Sequence, residues 1–220
     1  MASFSVVSNI AAANAQSNLS TTNIGLQKAL TRLSSGLRIN YSGDDAAGLA
    51  VANAYRSDIA VLNQGVRNAN DGLSGLQIKD GALSNISTLL DRLATLATQA
   101  ASGETSTTSR TTLNTEFADV LSEIDREANV AGLASTATFS VFVSNSSSTN
   151  GKISGTIGLA SQAALSLTGH VITSQATAQS AVAAVASAVT LLGSAQATVG
   201  TLQHRLQFAI SLAQSQIVNT

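Results

Sequence analysis

The chain contains no cysteine, no proline and no tryptophan. Without cysteine it can form neither a disulfide nor a thiolate metal site, so packing or assembly must hold it together. Without proline, none of its 220 residues imposes a fixed kink or a slow cis/trans step, which favours long unbroken helices. Charged residues make up 10% of the chain, where a soluble domain averages about 25%. The net charge is −1, so no basic surface points to nucleic acid and no acidic block to a solvating tail. No window holds about 18 uninterrupted apolar residues, which argues against a membrane partner. Aromatics are 3% of the residues, and the chain is built instead from Ala, Leu, Gly, Ser and Thr. Small side chains bury little area each and would underfill a compact core, but they suit long helices lying close together.

What is present is heptad spacing. The N-terminal MASFSVVSNIAAANA has an A-x-A-like Ala13-Asn14-Ala15 but no positive n-region, since the first basic residue is Lys28; it reads as helix rather than as a cleaved leader. Residues 5–37 predict a first helix, with Leu19, Leu26 and Leu33 seven apart and Leu30 and Leu37 at the alternate position. The stretch LSSGLRINYSGDDAAGLA (33–50) breaks that pattern, and Ser42 or Asp44 is placed to cap a second helix. From Asp44 the apolar row runs on through Tyr55, Ile59, Leu62, Val66, Ala69, Leu76, Leu83, Leu90 and Ala97, with Ala82, Leu89 and Leu96 beside it. The stripe is wide enough to contact two neighbours. Gly65, Gly72, Gly75 and Gly81 mark either local weakening or close contact with another helix.

GETSTTSR (103–110) predicts a turn, and 108–129 a helix carrying Leu113, Phe117, Val120, Leu121 and Ile124. Residues 138–169 change character. FSVFV either directs Phe139, Val141 and Val143 inward or buries Phe142 on the other face; NSSSTNG turns; KISGTIGL and ALSLTG follow, giving a hairpin or a three-strand patch. From about residue 174 a last helix carries Val185, Leu192, Val199 and Leu206 in one heptad row and Val182, Val189, Ile210 and Ile217 in a second, which Gln196 and Gln203 interrupt. The expected fold is mainly α: an elongated, coiled-coil-like rod of long antiparallel helices with a small β-hairpin insertion. Its parts are an N-terminal helix and connecting spoke (1–43), the first part of the rod (44–137), the β insertion (138–173) and a C-terminal rod helix (174–220). The helix at 5–37 has no obvious partner within the chain.

Chemistry is poorly served. His170 and His204 sit in no metal-ligand spacing, and no Ser/His/Asp constellation is apparent. Asp44 and Asp45 are adjacent, so on a helix their carboxylates diverge, and capping suits them better than paired acid/base work. GLSGL lacks the strand before it and the Lys-Ser/Thr after it that a phosphate loop requires. Neither an enzyme nor a cofactor or metal is expected.

LTRLSSGLRINYSGDDAAGLAVANAYRSDI and the following NQGVRNANDGLSGLQIKDGALSNISTLLDRLATLATQAASG closely resemble bacterial flagellin, over about residues 19–129. LSEIDREA (121–128) is similar to the end of that family's second helix, and GSAQATVGTLQHRLQFAISLAQSQI (193–217) to the first part of its C-terminal helical region. The resemblance implies a secreted structural subunit of the extracellular bacterial flagellum, a helical homopolymer for swimming motility. It implies as partners other copies of the chain, hook-filament junction and cap proteins, and the flagellar type III export apparatus. The 33–50 stretch would connect an inner-tube helix to the outer tube, leaving helix 5–37 to be buried by neighbouring subunits. The short 138–173 segment implies a smooth filament without large outer domains. The end at QIVNT implies that an inner-tube C-terminal segment of the family is lacking.

The family's rod is also a ligand of an animal Toll-like receptor. By resemblance, receptor contacts map to Arg92 and Leu96 in LDRLATLATQ and to Glu116 in LNTEFADVL, with Ala94 and Thr95 departing from the charged pair of strong agonists. Read as plain helix residues, Arg92 would be a solvated or ion-paired side chain, Leu96 core and Glu116 an exposed charge. The alternative to a filament subunit is a secreted helical adhesin or innate-receptor ligand that does not polymerise.

Overall fold

A computed structural model of the chain describes residues 9–135, 137–144 and 149–219. The first residues of the expected N-terminal helix and part of the NSSSTNG turn lie outside them. Among the described residues the structure is 75% helical, with four α-helices and a small two-stranded antiparallel sheet. It divides into two compact units, Met1–Asp58 and Ile59–Thr220.

In the first unit, helix α1 (Ile10–Ser35) begins where the Asn9 side chain accepts from the Ala12 N–H at 3.1 Å. It stops at Gly36, whose φ of 70° is left-handed and whose N–H donates to the Arg32 carbonyl at 2.9 Å, two residues before the expected end. Helix α2 (Ala46–Ala101) starts in this unit and continues into the second. The division falls inside α2 because its first fully packed side chain is Leu62. Tyr55, assigned to the stripe by spacing, is 49% exposed.

The second unit holds the core. Helix α3 (Thr107–Val130) is capped by Ser106, which accepts from the Ser109 N–H at 3.1 Å. Arg110, one turn inside α3, donates to the Ala100 and Ser102 carbonyls at 2.8 Å each. At Ala100 it thereby satisfies an acceptor that the end of α2 leaves open, with the charge sign the helix terminus favours. The two helices run antiparallel, because Lys79 meets the Ala131 carbonyl, Asn85 meets Glu127 and Arg92 meets Glu116. Phe117, Leu121, Ile124 and Ala128 of α3 face the Leu83–Ala100 stretch of α2 within one continuous apolar cluster.

Strands β1 (Ala137–Phe142) and β2 (Lys152–Ile157) form the antiparallel hairpin, with Phe139 opposite Gly155 and Val141 opposite Ile153. Phe139 and Val141 pack on the core, whereas Phe142 is exposed, so the first of the two strand readings holds. ALSLTG forms no third strand. Leu165 and Leu167 are buried as alternation required, but Ser166 between them adopts φ 58°. Their amides are taken by Ser161 and Gln162 carbonyls at 2.9 and 2.8 Å, leaving none for a ladder. The segment is pinned through side chains of α3: Asp125 accepts from the Gln162 N–H and Asn114 from the Ile172 N–H, both at 2.8 Å.

Helix α4 (Gln175–Asn219) follows a reciprocal cap in which Ser174 and Thr177 exchange backbone and side-chain bonds. Val185, Leu192, Val199 and Leu206 are all buried, as the heptad reading expects. The second buried row is Ala181, Ala188, Ala195 and Leu202, not Val182, Val189, Ile210 and Ile217. Strand β2 and the residue after it pack closely on this row: a Cβ on Gly155 would stand 2.9 Å from Leu202 and one on Gly158 3.2 Å from Ala195. By length and composition α4 could cross a membrane. Its Val185–Leu206 row lies inside the protein core.

The glycines of α2 divide sharply. A Cβ on Gly65 would meet the Val143 carbonyl oxygen at 2.3 Å, and one on Gly72 the Val141 side chain at 2.7 Å. Nothing lies within 4 Å of a Cβ on Gly75 or Gly81. Close approach therefore explains the first pair, and the approaching element is strand β1 rather than a helix. Asn68, between those two glycines, completes the seat by donating to the Phe142 carbonyl at 3.2 Å.

Candidate assembly surface

Helix α1 has no buried residue. Its heptad leucines stand in solvent, with Leu33 at 82%, Leu19 at 63% and Leu26 and Leu30 at 56% and 55% exposed. Leucines at seven-residue and alternating spacing share one side of a helix, so these four form a continuous apolar stripe. An unburied leucine forgoes roughly 1.5–3 kcal/mol of transfer free energy, so four together are a strong driving force for association. Scattered exposed leucines need no explanation, but a contiguous row of them does.

The opposite side of α1 is different. Lys28 and Arg32, the helix's two charged residues, reach toward Asp44 in the turn that follows. Asp44 Oδ1 is 3.8 Å from Lys28 Nζ and 3.7 Å from Arg32 Nη2, and the Asp44 side chain is 6% exposed. The turn closes through the Asp44 N–H donating to the Tyr41 carbonyl at 3.0 Å. Asp45, not Ser42 or Asp44, caps α2: its Oδ1 accepts from the Gly48 N–H at 2.8 Å. The reason is offset. A side-chain cap satisfies a donor two or three residues further on, and with α2 beginning at Ala46 that place belongs to Asp45. Asp44, one residue earlier, is turned back onto the basic side of α1.

On the second unit, Arg92 bonds Glu116 through Nε at 2.8 Å and through Nη2, both to the same oxygen. Each side chain remains about half exposed. Leu96 lies one turn further along α2 at 1% exposure, inside the core, so it offers no surface. Among the described residues no group of three or more His, Asp or Glu side chains could hold a metal ion.

The family model described as the bacterial flagellin N-terminal helical region matches residues 6–140, more than half of the chain. The chain belongs to the flagellin family. A flagellin of Halalkalibacterium halodurans is 39% identical over 118 residues, which is 54% of this chain and 43% of that protein. Phase 1 flagellin of Salmonella naestved is 43% identical over 114 residues, 52% of this chain and 23% of that protein. This flagellin chain thus matches less than half the length of either relative. The crystal structure of Bacillus cereus flagellin superposes with a TM-score of 0.57 at 27% identity, covering 66% of this chain and 88% of that one. The family match takes in α1, the turn, α2 and α3. It therefore includes the exposed leucine stripe and the Asp44–Asp45 junction as well as part of the packed core.

Proposed function

We propose that this chain is a subunit of the bacterial flagellar filament, polymerising head to tail into an extracellular helical fibre for motility, and that it is not an enzyme. The observation that carries the reading is the leucine stripe of α1, a heptad face with no buried residue in a chain of the flagellin family. Such a face needs a partner helix, and a heterologous contact that repeats without closing yields fibres rather than rings. Other copies of the chain are the principal partners. Junction and cap proteins would meet the fibre ends, and the type III export apparatus would deliver the chain. Contact with the animal receptor is carried over to Arg92 and Glu116, whose paired head groups present a surface; Leu96 would support it only from within.

The test is seeded growth. Purified chain is added to short flagellar fragments under polymerising salt and viewed by negative-stain microscopy. Filament extension that stops when Leu26 and Leu33 are both changed to Asp is the expected result. A helical chain that stays monomeric with every seed would sink the proposal.

A further inference from the structure

We propose that Asp44 is an electrostatic latch, holding the turn between α1 and α2 onto the basic side of α1 and releasing it as ionic strength rises. Asp44 is largely enclosed, although the residues on either side of it, Gly43 and Asp45, are exposed. Both charges of α1 point at one of its oxygens, at 3.7 and 3.8 Å. Those distances exceed hydrogen-bond length, so the attraction is one of charge and not of directed bonds.

The surroundings reinforce it. Asp44 lines a recess of about 270 Å³ with Lys28, Arg32 and Tyr41, and a second recess with Arg32, Arg38 and Asp45. The ionisable groups around it are therefore three cations (Lys28, Arg32, Arg38), one carboxylate already committed to capping α2 (Asp45), and the Tyr41 hydroxyl. Positive charge is in excess, and Asp44 is what balances it.

Screening length then decides the behaviour. The Debye length is about 10 Å at 0.1 M salt and about 3 Å at 1 M, and Lys28 and Arg32, each about half exposed, leave the pairs open to salt, so they are held at low salt and weakened at high salt. The neighbouring Asp45 cap is a directed hydrogen bond at 2.8 Å and depends less on charge alone. The leucine stripe and the start of α2 are thus joined by a turn whose closure depends on the ionic medium.

Hydrogen exchange on the 220-residue chain tests this, with amides resolved by NMR and compared at about 10 mM and 1 M sodium chloride. The expected result is that salt lowers protection of the Asp44 N–H about three- to tenfold while the Gly48 N–H changes little. Asp44→Asn should show the low protection at both salt concentrations, with unchanged helical circular dichroism. Lys28→Gln combined with Arg32→Gln leaves Asp44 in place and should reproduce the same loss. Protection of the Asp44 amide that is indifferent to salt, or that survives the double substitution, would overturn the latch.

Discussion

Helices α1 and α4 have the same sequence signature and opposite fates. Each is long, lacks proline and carries large apolar residues seven apart. In α4 that row is buried from Val185 to Leu206, whereas in α1 Leu19, Leu26 and Leu33 are all exposed. Heptad spacing specifies that a helix has a face to bury, and it is silent on whether the partner is in the same chain. In α4 the partners are the hairpin and the other helices of the second unit; in α1 the face is exposed. The same spacing thus serves a buried face in one helix and, on the proposed reading, an assembly face in the other.

Four experiments would break or sharpen this contrast. The largest effect is expected from Leu192→Ala in α4, which should cost about 2–5 kcal/mol in urea unfolding followed by circular dichroism. Leu33→Ala in α1 should move the same curve by less than about 0.5 kcal/mol while impairing seeded growth. Equal destabilisation by the two would mean that α1 packs within the chain after all.

The second experiment compares glycines of α2. Gly65→Ala drives a methyl group into the Val143 carbonyl and should cost about 1–3 kcal/mol. Gly75→Ala meets nothing within 4 Å and should stabilise by up to about 1 kcal/mol through helix propensity alone. Shifts of the same sign in thermal melts would refute the seat for strand β1.

Smaller again is the effect of Arg92→Met. Exposed pairs are worth about 0–1 kcal/mol, so the half-exposed bond to Glu116 should be missed only slightly on unfolding. Binding to the animal receptor, if carried by that pair, should fall much further than stability does. A loss of binding no greater than the loss of stability would leave Arg92 as an ordinary ion pair.

The smallest effect concerns pH. The Arg126 guanidinium, by hydrogen bond and then by charge, holds the Glu123 carboxyl below its ordinary value, and Glu123 in turn raises Arg126. A depressed carboxylate contributes stability that is full above its unfolded value and is lost as pH falls through the folded one. Both side chains are about half exposed, so the loss on acidification should be slight, and Glu123→Gln should abolish only that part of the acid dependence.

Much of this was legible beforehand, and the misses share a cause. The break between the first two helices, the length of α2 and the Val185–Leu206 row follow from local spacing and cap chemistry. The capping residue was displaced by one, from Asp44 to Asp45, because a cap is set by where the first helical turn closes and both aspartates suit the role chemically. ALSLTG alternates like a strand, yet buries Leu165 and Leu167 from a turn, since alternation reports which side chains point inward and not what their amides bond. Leu96 carried two readings, surface contact by resemblance and core by periodicity, and its burial favours the second.

By itself the sequence determined that the chain would be long helices without kinks or cross-links, with a break between the first two, and that each would own an apolar stripe. Those are properties of backbone propensity and of period, decided within a few residues. Only the tertiary structure decided that alanines rather than valines fill the second row of α4. It also decided that Gly65 and Gly72 are seats for a strand, that Asp44 turns back onto α1, and that the leucines of α1 stay bare. Each of these depends on which distant segment comes within a few ångströms, and steric exclusion and charge at that range are not written in local spacing.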